Sequence, residues 1–205
     1  MLDRAKQIVP ANRDPFELRT STDPAWIRLA VERFDEVLID HAHCEKKAAA
    51  SAMALVSAYP DHDVLVKRMA KLAHEELRHF RQVHELILAR GLKLGKDEGD
   101  PYAKELLRLV RTGSPAERRM DRLLVSALIE ARSCERLELL STALPDPALR
   151  SFYAILARAE AGHHRLFVDL AALYASADEV EERFEILATA EGEIVAALPI
   201  EARIH

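Results

Sequence analysis

Cysteine and glycine are scarce in this chain of 205 residues, and their scarcity excludes whole classes of protein. The two cysteines, Cys44 and Cys134, cannot supply the disulfide framework of a small secreted domain. The six glycines and nine prolines cluster at the ends of long segments, and alternating runs of β-branched residues are absent, which indicates an all-α protein. With 49% hydrophobic residues the chain can bury one substantial core, so we expect a single domain over residues 1–205.

Long apolar runs are also absent, so the sequence predicts no membrane-spanning helix. The first eighteen residues carry charges throughout and lack the apolar core of a secretion signal. Together with the missing disulfides, these features favour a cytoplasmic protein. The net charge of −5 argues at first against a nucleic-acid partner. Residues 176–205 hold eight acids and two bases, however, so the rest of the chain carries a net charge of +1.

Several helix starts are marked by an N-cap residue with proline at the first helical position, as in Asp23-Pro24, Ser114-Pro115 and Asp146-Pro147. These signals and the apolar periodicity predict four long helices at about 24–58, 62–90, 115–143 and 147–175. Shorter helices are predicted at about 102–112 and 177–197.

The lengths of the connections determine how these helices can be arranged. Very short loops join the first long helix to the second and the third to the fourth, so each pair is an antiparallel hairpin. The link between the second and third helices exceeds twenty residues, which is long enough to cross the bundle. Two hairpins joined by a long crossover are the arrangement of the ferritin-like four-helix bundle, which is the fold that we predict.

Two polar residues interrupt an apolar stripe in the second long helix. The stripe steps by four and three residues, as the buried face of an α-helix does, and runs through Leu65, Met69, Leu72, Glu76, His79, Val83 and Leu86. Burying a carboxylate and an imidazole is costly unless they are compensated. The pattern therefore indicates a function for Glu76 and His79.

The second half of the chain repeats this pattern. An offset of 84 residues carries the Glu-x-x-His pair onto Glu160 and His163, which lie on the apolar stripe of the fourth helix. An offset of 85 carries Glu45, on the core face of the first helix, onto Glu130 on that of the third. Each long helix thus places one glutamate on its core face, and two helices add a histidine one turn later.

Two divalent metal ions would compensate four glutamates that face one another in a bundle core, whereas without metal their pKa values would be raised. Carboxylates can bridge and cap a pair of cations, and imidazole suits iron or manganese. One Glu from each of two helices and Glu-x-x-His from each of the other two is the ligand pattern of ferritin-like di-iron and di-manganese proteins. It predicts bridging ligands at Glu76 and Glu160, and further ligands at Glu45, Glu130, His79 and His163.

Three features close to the predicted ligands have two interpretations each. His41, one turn before a ligand, either hydrogen-bonds that ligand or is a satisfied core histidine. Cys134, one turn after a ligand, either lines the site or is a small core residue. Small side chains in the first long helix either leave room for a substrate or oxygen or merely favour the helix, namely Ala48, Ala49 and Ala52.

Three stretches resemble the MiaE family of bacterial tRNA hydroxylases: LIDHAHCEKKAAASA (38–52), AHEELRHFRQV (73–83) and AEAGHH (159–164). The resemblance extends over essentially the whole chain. It implies a non-haem di-iron monooxygenase that uses O2 to hydroxylate the isopentenyl group of 2-methylthio-isopentenyl-adenosine, next to the anticodon of tRNA. It also implies that the six predicted ligands hold two iron ions.

The implied activity needs partners that the chain does not contain. Two electrons must enter in each turnover, and the sequence has no flavin or nicotinamide fingerprint and no cysteine set for an iron–sulfur cluster, so a separate reductase is implied. Bases of the crossover and the third helix form either a solvated face or a patch for the anticodon arm, namely Lys93, Lys96, Lys104, Arg108, Arg111, Arg118, Arg119 and Arg122. The sequence gives no indication of the oligomeric state.

Other functions would use the same predicted ligands. A ferritin-like di-iron or di-manganese oxidase could act on a small substrate, as a ferroxidase, a peroxide-scavenging enzyme or a fatty-aldehyde oxygenase does. An iron-storage protein would normally assemble into a cage, and a helical interaction module would bind no metal.

Overall fold

The computed structural model describes residues 14–205, so residues 1–13 of the expected domain lie outside the described range. Within the described residues the chain forms seven α-helices and no strand, which confirms the all-α prediction. The helices are α1 (Pro24–Glu32), α2 (Phe34–Ala58), α3 (Asp63–Ala89), α4 (Pro101–Arg108), α5 (Pro115–Ala143), α6 (Pro147–Ala172) and α7 (Ala177–Ala197). None of the helices in residues 14–205 is long and apolar enough to cross a lipid bilayer.

The predicted helix starts are confirmed by the capping hydrogen bonds. The side chains of Asp23 and Asp146 accept hydrogen bonds from the backbone N–H groups two residues later, at 2.7 and 2.8 Å. Ser114 and Glu117 form a capping box, in which each side chain accepts from the other residue's backbone N–H. These contacts satisfy backbone donors that the first helical turn leaves unpaired.

The first long helix is not continuous, and the prediction of a helix over 24–58 was wrong in this respect. It breaks at Arg33, which has φ −111° and ψ 40° and separates α1 from α2. No glycine or proline lies near the break, so we attribute it to tertiary packing. The indole N–H of Trp26 donates to the backbone oxygen of Arg203 (2.9 Å), and the guanidinium of Arg136 lies 5.0 Å from the Trp26 ring centre. These contacts orient α1 independently of α2.

The four long helices form the predicted pair of hairpins, in which α2 packs along α3 and α5 packs along α6. The connection between the hairpins, residues 90–114, contains α4. Two apolar clusters fill the bundle. One contains Leu65, Met69, Leu123, Phe167 and Phe184. The other contains Val37, Val83, Leu137, Tyr153 and Leu156. On α3, Glu76 and His79 lie between the part of the helix that packs in one cluster and the part that packs in the other. Glu160 and His163 have the same position on α6.

Buried polar contacts attach the remaining elements to the bundle. The carboxylate of Glu191 on α7 accepts hydrogen bonds from Arg132 on α5 (2.9 and 3.0 Å) and from the hydroxyl of Tyr102 on α4 (2.9 Å). The segment 199–205 after α7 returns to the bundle, where Asp40 accepts from the N–H of Ile204 at 2.8 Å. These contacts bring the end of the segment between α2 and α5.

Candidate metal centre

The six predicted ligands converge in the middle of the bundle, and all six side chains are buried. One set of donor atoms, each within 4.8 Å of the others, comes from Glu45, Glu76, His79 and Glu160. A second set with the same spacing comes from Glu76, Glu130, Glu160 and His163. Glu76 and Glu160 belong to both sets, which is the position expected of ligands that bridge two metal ions.

The helical repeat explains why these side chains meet. On α3, Glu76 and His79 lie one turn apart, with the buried Leu72 before them and the buried Val83 after them. On α6, the same arrangement places the second Glu-x-x-His pair between buried apolar residues. Side chains three and four residues apart share one helix face, so each hairpin directs its ligands into the same layer of the core.

Three polar atoms of this layer lack a hydrogen-bond partner within the described part of the chain. They are both carboxylate oxygens of Glu76 and the Nδ1 atom of His79, all of which are buried. His163 Nδ1 lies 2.9 Å from Glu76 Oε1, but its hydrogen bond goes to Glu160 Oε2 at 3.0 Å. Leaving buried polar atoms unpaired costs about 1–3 kcal/mol for each group. The donor set therefore fits metal ions, which would satisfy these atoms.

The four carboxyl groups do not all follow the expectation of raised pKa values. Burial and the neighbouring carboxylates raise the pKa values of Glu45 and Glu130 well above their usual range. The expectation was wrong for Glu76. Burial would raise its pKa as well, but the nearby imidazoles lower it instead. Glu45 and Glu130 therefore hold a proton more readily than Glu76 does.

The two imidazoles of the predicted ligand set hold protons in the metal-free protein. Burial disfavours their charge, but the adjacent carboxylates raise the pKa of His79 to about 9 and that of His163 to about 12. An imidazole coordinates a metal ion only when it is neutral, so metal binding has to release these protons.

His41 makes the contact that one interpretation of the sequence predicts. Its Nε2 atom lies 2.8 Å from Glu45 Oε1, and its Nδ1 atom lies 3.4 Å from the hydroxyl of Tyr153. Burial lowers the pKa of His41 to about 4, so the ring is neutral at pH 7. A neutral ring can donate one N–H to Glu45 while accepting from Tyr153, and thereby holds this carboxylate in place.

Two other side chains near the ligands are engaged elsewhere. The thiol of Cys134 donates to the backbone oxygen of Ala157 (3.3 Å), and burial raises its pKa to about 12. Nδ1 of His164 lies 2.8 Å from the backbone oxygen of Ala127. Both side chains support contacts between α5 and α6.

A cavity of about 490 Å³ leads from the centre towards the surface between α2, α4 and α5. The glutamates of α2, α3, α5 and α6 form part of its lining. Its apolar lining includes Ala48, Leu55, Ile129, Leu137 and Phe167. Among the three small residues of α2 with two interpretations, Ala48 lines the cavity, whereas Ala52 packs in the apolar core.

Comparison with known proteins identifies a family that this chain matches. The sequence model of one family, described as tRNA-(MS[2]IO[6]A)-hydroxylase (MiaE), matches residues 9–205. The chain belongs to the MiaE family. This match confirms the resemblance found in the sequence, and it covers all six residues of the candidate centre.

Two relatives of this MiaE protein carry the name tRNA 2-(methylsulfanyl)-N(6)-isopentenyladenosine(37) hydroxylase. The relative from Pseudomonas putida is 39% identical over 184 residues, which cover 90% of this chain and 89% of the relative. The relative from Salmonella typhimurium is 31% identical, with 92% of this chain and 87% of the relative covered.

A solved structure shares the fold of this MiaE protein. It is named Protein 43 with aldehyde deformylating oxygenase activity, from Synechococcus, and it is 40% identical in sequence. The two structures superimpose with a TM-score of 0.86 over 92% of this chain and 94% of the other. The predicted ferritin-like bundle is thereby confirmed.

Sequence periodicity missed several polar residues of the MiaE cavity. Asp100, Ser133 and His205 line it, although they come from the start of α4, the middle of α5 and the segment after α7. Arg122, already one of the bases of the candidate tRNA patch, lines it as well, 5.6 Å from the ring centre of Tyr59, and makes no hydrogen bond or ion pair with another residue in 14–205. Asp100 and His205 lie 105 residues apart on different elements, so no local pattern marks them. Ser133 and Arg122 both lie on α5, where a polar residue near a predicted ligand is a signal that could have been used.

Proposed function

We propose that this MiaE protein binds two iron ions through Glu45, Glu76, His79, Glu130, Glu160 and His163, and uses them with O2 to hydroxylate the isopentenyl group of 2-methylthio-isopentenyl-adenosine in tRNA. Membership in a family of tRNA hydroxylases makes the chain an oxidoreductase. The observation that carries the proposal is the pair of overlapping donor sets at an apolar cavity.

The donor sets suggest how the ligands divide between the metals. Glu76 and Glu160, which belong to both sets, would bridge the two ions. One ion would take a carboxylate and an imidazole from the first hairpin, and the other would take the equivalent pair from the second. Carboxylate and imidazole donors suit iron, and the bound pair would supply the redox chemistry with O2.

The chain's own side chains would bind the substrate and exclude water. The apolar walls around Ile129 and Leu137 offer a dry surface to a prenyl chain. The nucleoside and its phosphates would remain towards the exposed side, where Ser51, Ala54 and Leu107 line the cavity. Such a position holds the tail next to the centre and keeps the charged part of the nucleotide in water.

The structure changes the proposed tRNA surface. Arg111 bonds to the buried carboxylate of Asp121, Arg118 donates to the backbone oxygen of Thr112, and Arg119 contacts His62. Arg111 therefore stabilises the fold through its ion pair with Asp121. Arg122 at the cavity has no such partner, and we propose that it binds a phosphate close to the reacting nucleotide. The exposed Lys104 on α4 would extend the basic surface.

The electrons would come from a separate reductase. Residues 14–205 form one helical bundle without a nucleotide-binding sheet, and the sequence lacks flavin and iron–sulfur fingerprints. We place the reaction in the cytoplasm, where modified tRNA and soluble electron donors meet.

An aldehyde oxygenase is the alternative that one observation favours. The solved structure at 40% identity carries that activity in its name, and an apolar cavity also suits an aliphatic aldehyde. An aldehyde would not require the unpaired guanidinium of Arg122.

The decisive experiment gives the iron-loaded protein a reductant and O2, with either unhydroxylated tRNA or a long-chain aldehyde. Mass spectrometry of digested nucleosides should show a gain of one oxygen on the modified adenosine. Glu85→Ala, at an exposed position on the same helix and away from the six ligands, serves as the matched control for Glu76→Ala. Conversion of the aldehyde with unchanged tRNA would overturn the proposal.

A further inference from the structure

A continuous chain of hydrogen bonds lies on the wall of the cavity, outside the candidate ligand set. The hydroxyl of Ser133 lies 2.7 Å from Nε2 of His205. Nδ1 of the same ring lies 3.1 Å from Oδ2 of Asp100. All three residues line the cavity that contains the four glutamates. Only 6% of the His205 side chain and 8% of the Asp100 side chain are exposed, so the contacts are sheltered from solvent.

Three separate elements supply the members of this hydrogen-bond chain. Ser133 lies on α5, one turn after Glu130, and Asp100 is the N-cap residue of α4. The segment 199–205 delivers His205, whose ring stacks on Tyr102 with 5.3 Å between the ring centres. The backbone of Ile204 is held by Asp40 and by Arg136, which donates to its carbonyl oxygen at 3.1 Å. The imidazole therefore has a fixed position.

The charges around the ring favour an ionised Asp100 beside the imidazole. Burial opposes its ionisation, but His205, the N–H of Ala103 and Lys47 lower the pKa of this carboxyl. Two further titratable groups that contact the ring are neutral. Burial raises the pKa values of the Cys44 thiol, 3.6 Å from Nδ1, and of the Tyr102 hydroxyl well above their usual ranges.

Two other uses of these groups are excluded by the surroundings. The order Asp, His, Ser is also that of hydrolytic enzymes, but the N–H of Ser133 lies inside α5 and is unavailable as an oxyanion-binding donor. Cys44, Asp100 and His205 could approach one cation, yet the ammonium of Lys47 already lies 3.4 Å from Asp100 Oδ2. A thiol that stays protonated is also a poor metal ligand.

Hydroxylation consumes protons at a buried site. The balanced reaction is R–H + O2 + 2 e⁻ + 2 H⁺ → R–OH + H2O, with the electrons supplied by the reductase. We propose that His205, acting through Ser133 and positioned by Asp100, donates these protons to the centre. This inference rests on the proposed function.

Each passage leaves the three side chains unchanged. The imidazolium gives its Nε2 proton to Ser133, while the hydroxyl proton of Ser133 leaves into the cavity. The neutral ring keeps its Nδ1 proton beside Asp100, so Nε2 regains a proton through Ser133 from the mouth of the cavity before the next passage. Asp100 keeps the ring oriented through its contact with Nδ1. Two passages supply the two protons of one turnover.

The test compares a proton-transferring ring with a side chain that only fills its place. Glutamine can donate to Asp100 and accept from Ser133, but it cannot carry a proton at neutral pH. His205→Gln should therefore lower kcat at least ~10-fold with little change in KM, because positioned acid–base groups contribute about 10²- to 10⁴-fold. His74→Gln, at an exposed position on α3, is the matched control.

Chemical rescue provides a readout that a structural role would not move. Added imidazole should restore turnover to His205→Ala, whose missing ring leaves space for it, but not to Ser133→Ala. Ser141→Ala, on the outer part of α5, controls for the serine change. In the metal-free protein, the ¹⁵N NMR signal of His205 should report a hydrogen bond from Nδ1, and Asp100→Asn should alter that signal.

The outcomes separate this inference from the proposed function. If the parent protein does not hydroxylate tRNA, the proposed function fails, and the proton path is then tested on reductant-driven O2 consumption, which also takes up protons. The path itself is overturned if His205→Gln matches the parent in turnover, or if imidazole rescues His205→Ala and Ser133→Ala equally.

Discussion

His163 on α6 places its Nδ1 atom 2.9 Å from Oε1 of Glu76 on α3, so the histidine of the second hairpin reaches the glutamate of the first. The reciprocal pair is looser, because Nδ1 of His79 lies 3.9 Å from Oε1 of Glu160. The sequence repeat therefore produces two related half-sites that are not equivalent. One reason is visible beside His163, where Glu75 approaches Nε2 to 3.5 Å and the second half has Ala159 at the matching position.

Loss of a bridging carboxylate should remove metal from the centre. Glu76→Ala and Glu160→Ala are each expected to reduce the metal content from two ions per chain to one or none. Hydroxylation should fall more than ~100-fold, because even residues that only support a ligand contribute about 10- to 100-fold. Elemental analysis measures the metal, and circular dichroism verifies the helices. Full metal content in both variants would contradict the ligand assignment.

Removal of the metal should leave the helices but weaken the bundle. The two apolar clusters on either side of the centre are independent of the ligands, so the helical signal at 222 nm should persist. At a free-ion concentration ~1,000 times the dissociation constant, each bound ion contributes about 4 kcal/mol, so its removal should lower the Tm by roughly 8–16 °C per ion. Equal Tm values with and without metal at pH 7 would show that the centre contributes nothing to stability.

Arg122 should affect tRNA binding without affecting the centre. Arg122→Gln removes one phosphate contact, so affinity should fall about fivefold and the slope of log K against log salt should become shallower by about one. Metal content and O2 consumption should stay at the parent level. Arg158→Gln, at an exposed position on α6, is the control. Unchanged binding and an unchanged salt slope in the Arg122 variant would move the docking surface elsewhere.

Asp121 should make the stability of the fold depend on pH in the acid range. Although burial opposes it, Arg183 and Arg111 lower the pKa of this fully buried carboxyl. A lowered pKa in the folded state means that the stabilisation is fully present above the unfolded value of about 3.9 and is lost as the pH falls below that value through the lower folded pKa. Asp121→Asn should cost about 3 kcal/mol at pH 7 and less at pH 3.

Urea unfolding between pH 3 and pH 7 measures this effect. The urea midpoint of the parent protein should fall steeply below pH 4. The midpoint of the variant should depend less on pH in this range. Parallel curves for the two proteins would mean that the ion pairs of Asp121 do not stabilise the fold.

The parts of this protein that follow a local pattern could be predicted from its sequence. Glu76 and His79 were identified because the helical repeat alone fixes their direction, and Ser114 was identified because a cap acts within one turn. The break at Arg33 could not be predicted, since it depends on Trp26 meeting a segment more than 170 residues away. The ion pair of Arg111 with Asp121 was missed although the two residues are only 10 apart, because an ion pair between two elements follows no helical period.

Each hairpin carries one of the four core glutamates on its first helix and a Glu-x-x-His pair on its second. Each of the two donor sets contains residues of both hairpins. Neither hairpin can therefore build a binding site before it has docked against the other. The order of events during refolding follows from this division. Metal uptake at a complete donor set would have to wait until the hairpins dock, so a metal-sensitive absorption signal should appear no earlier than the helical signal.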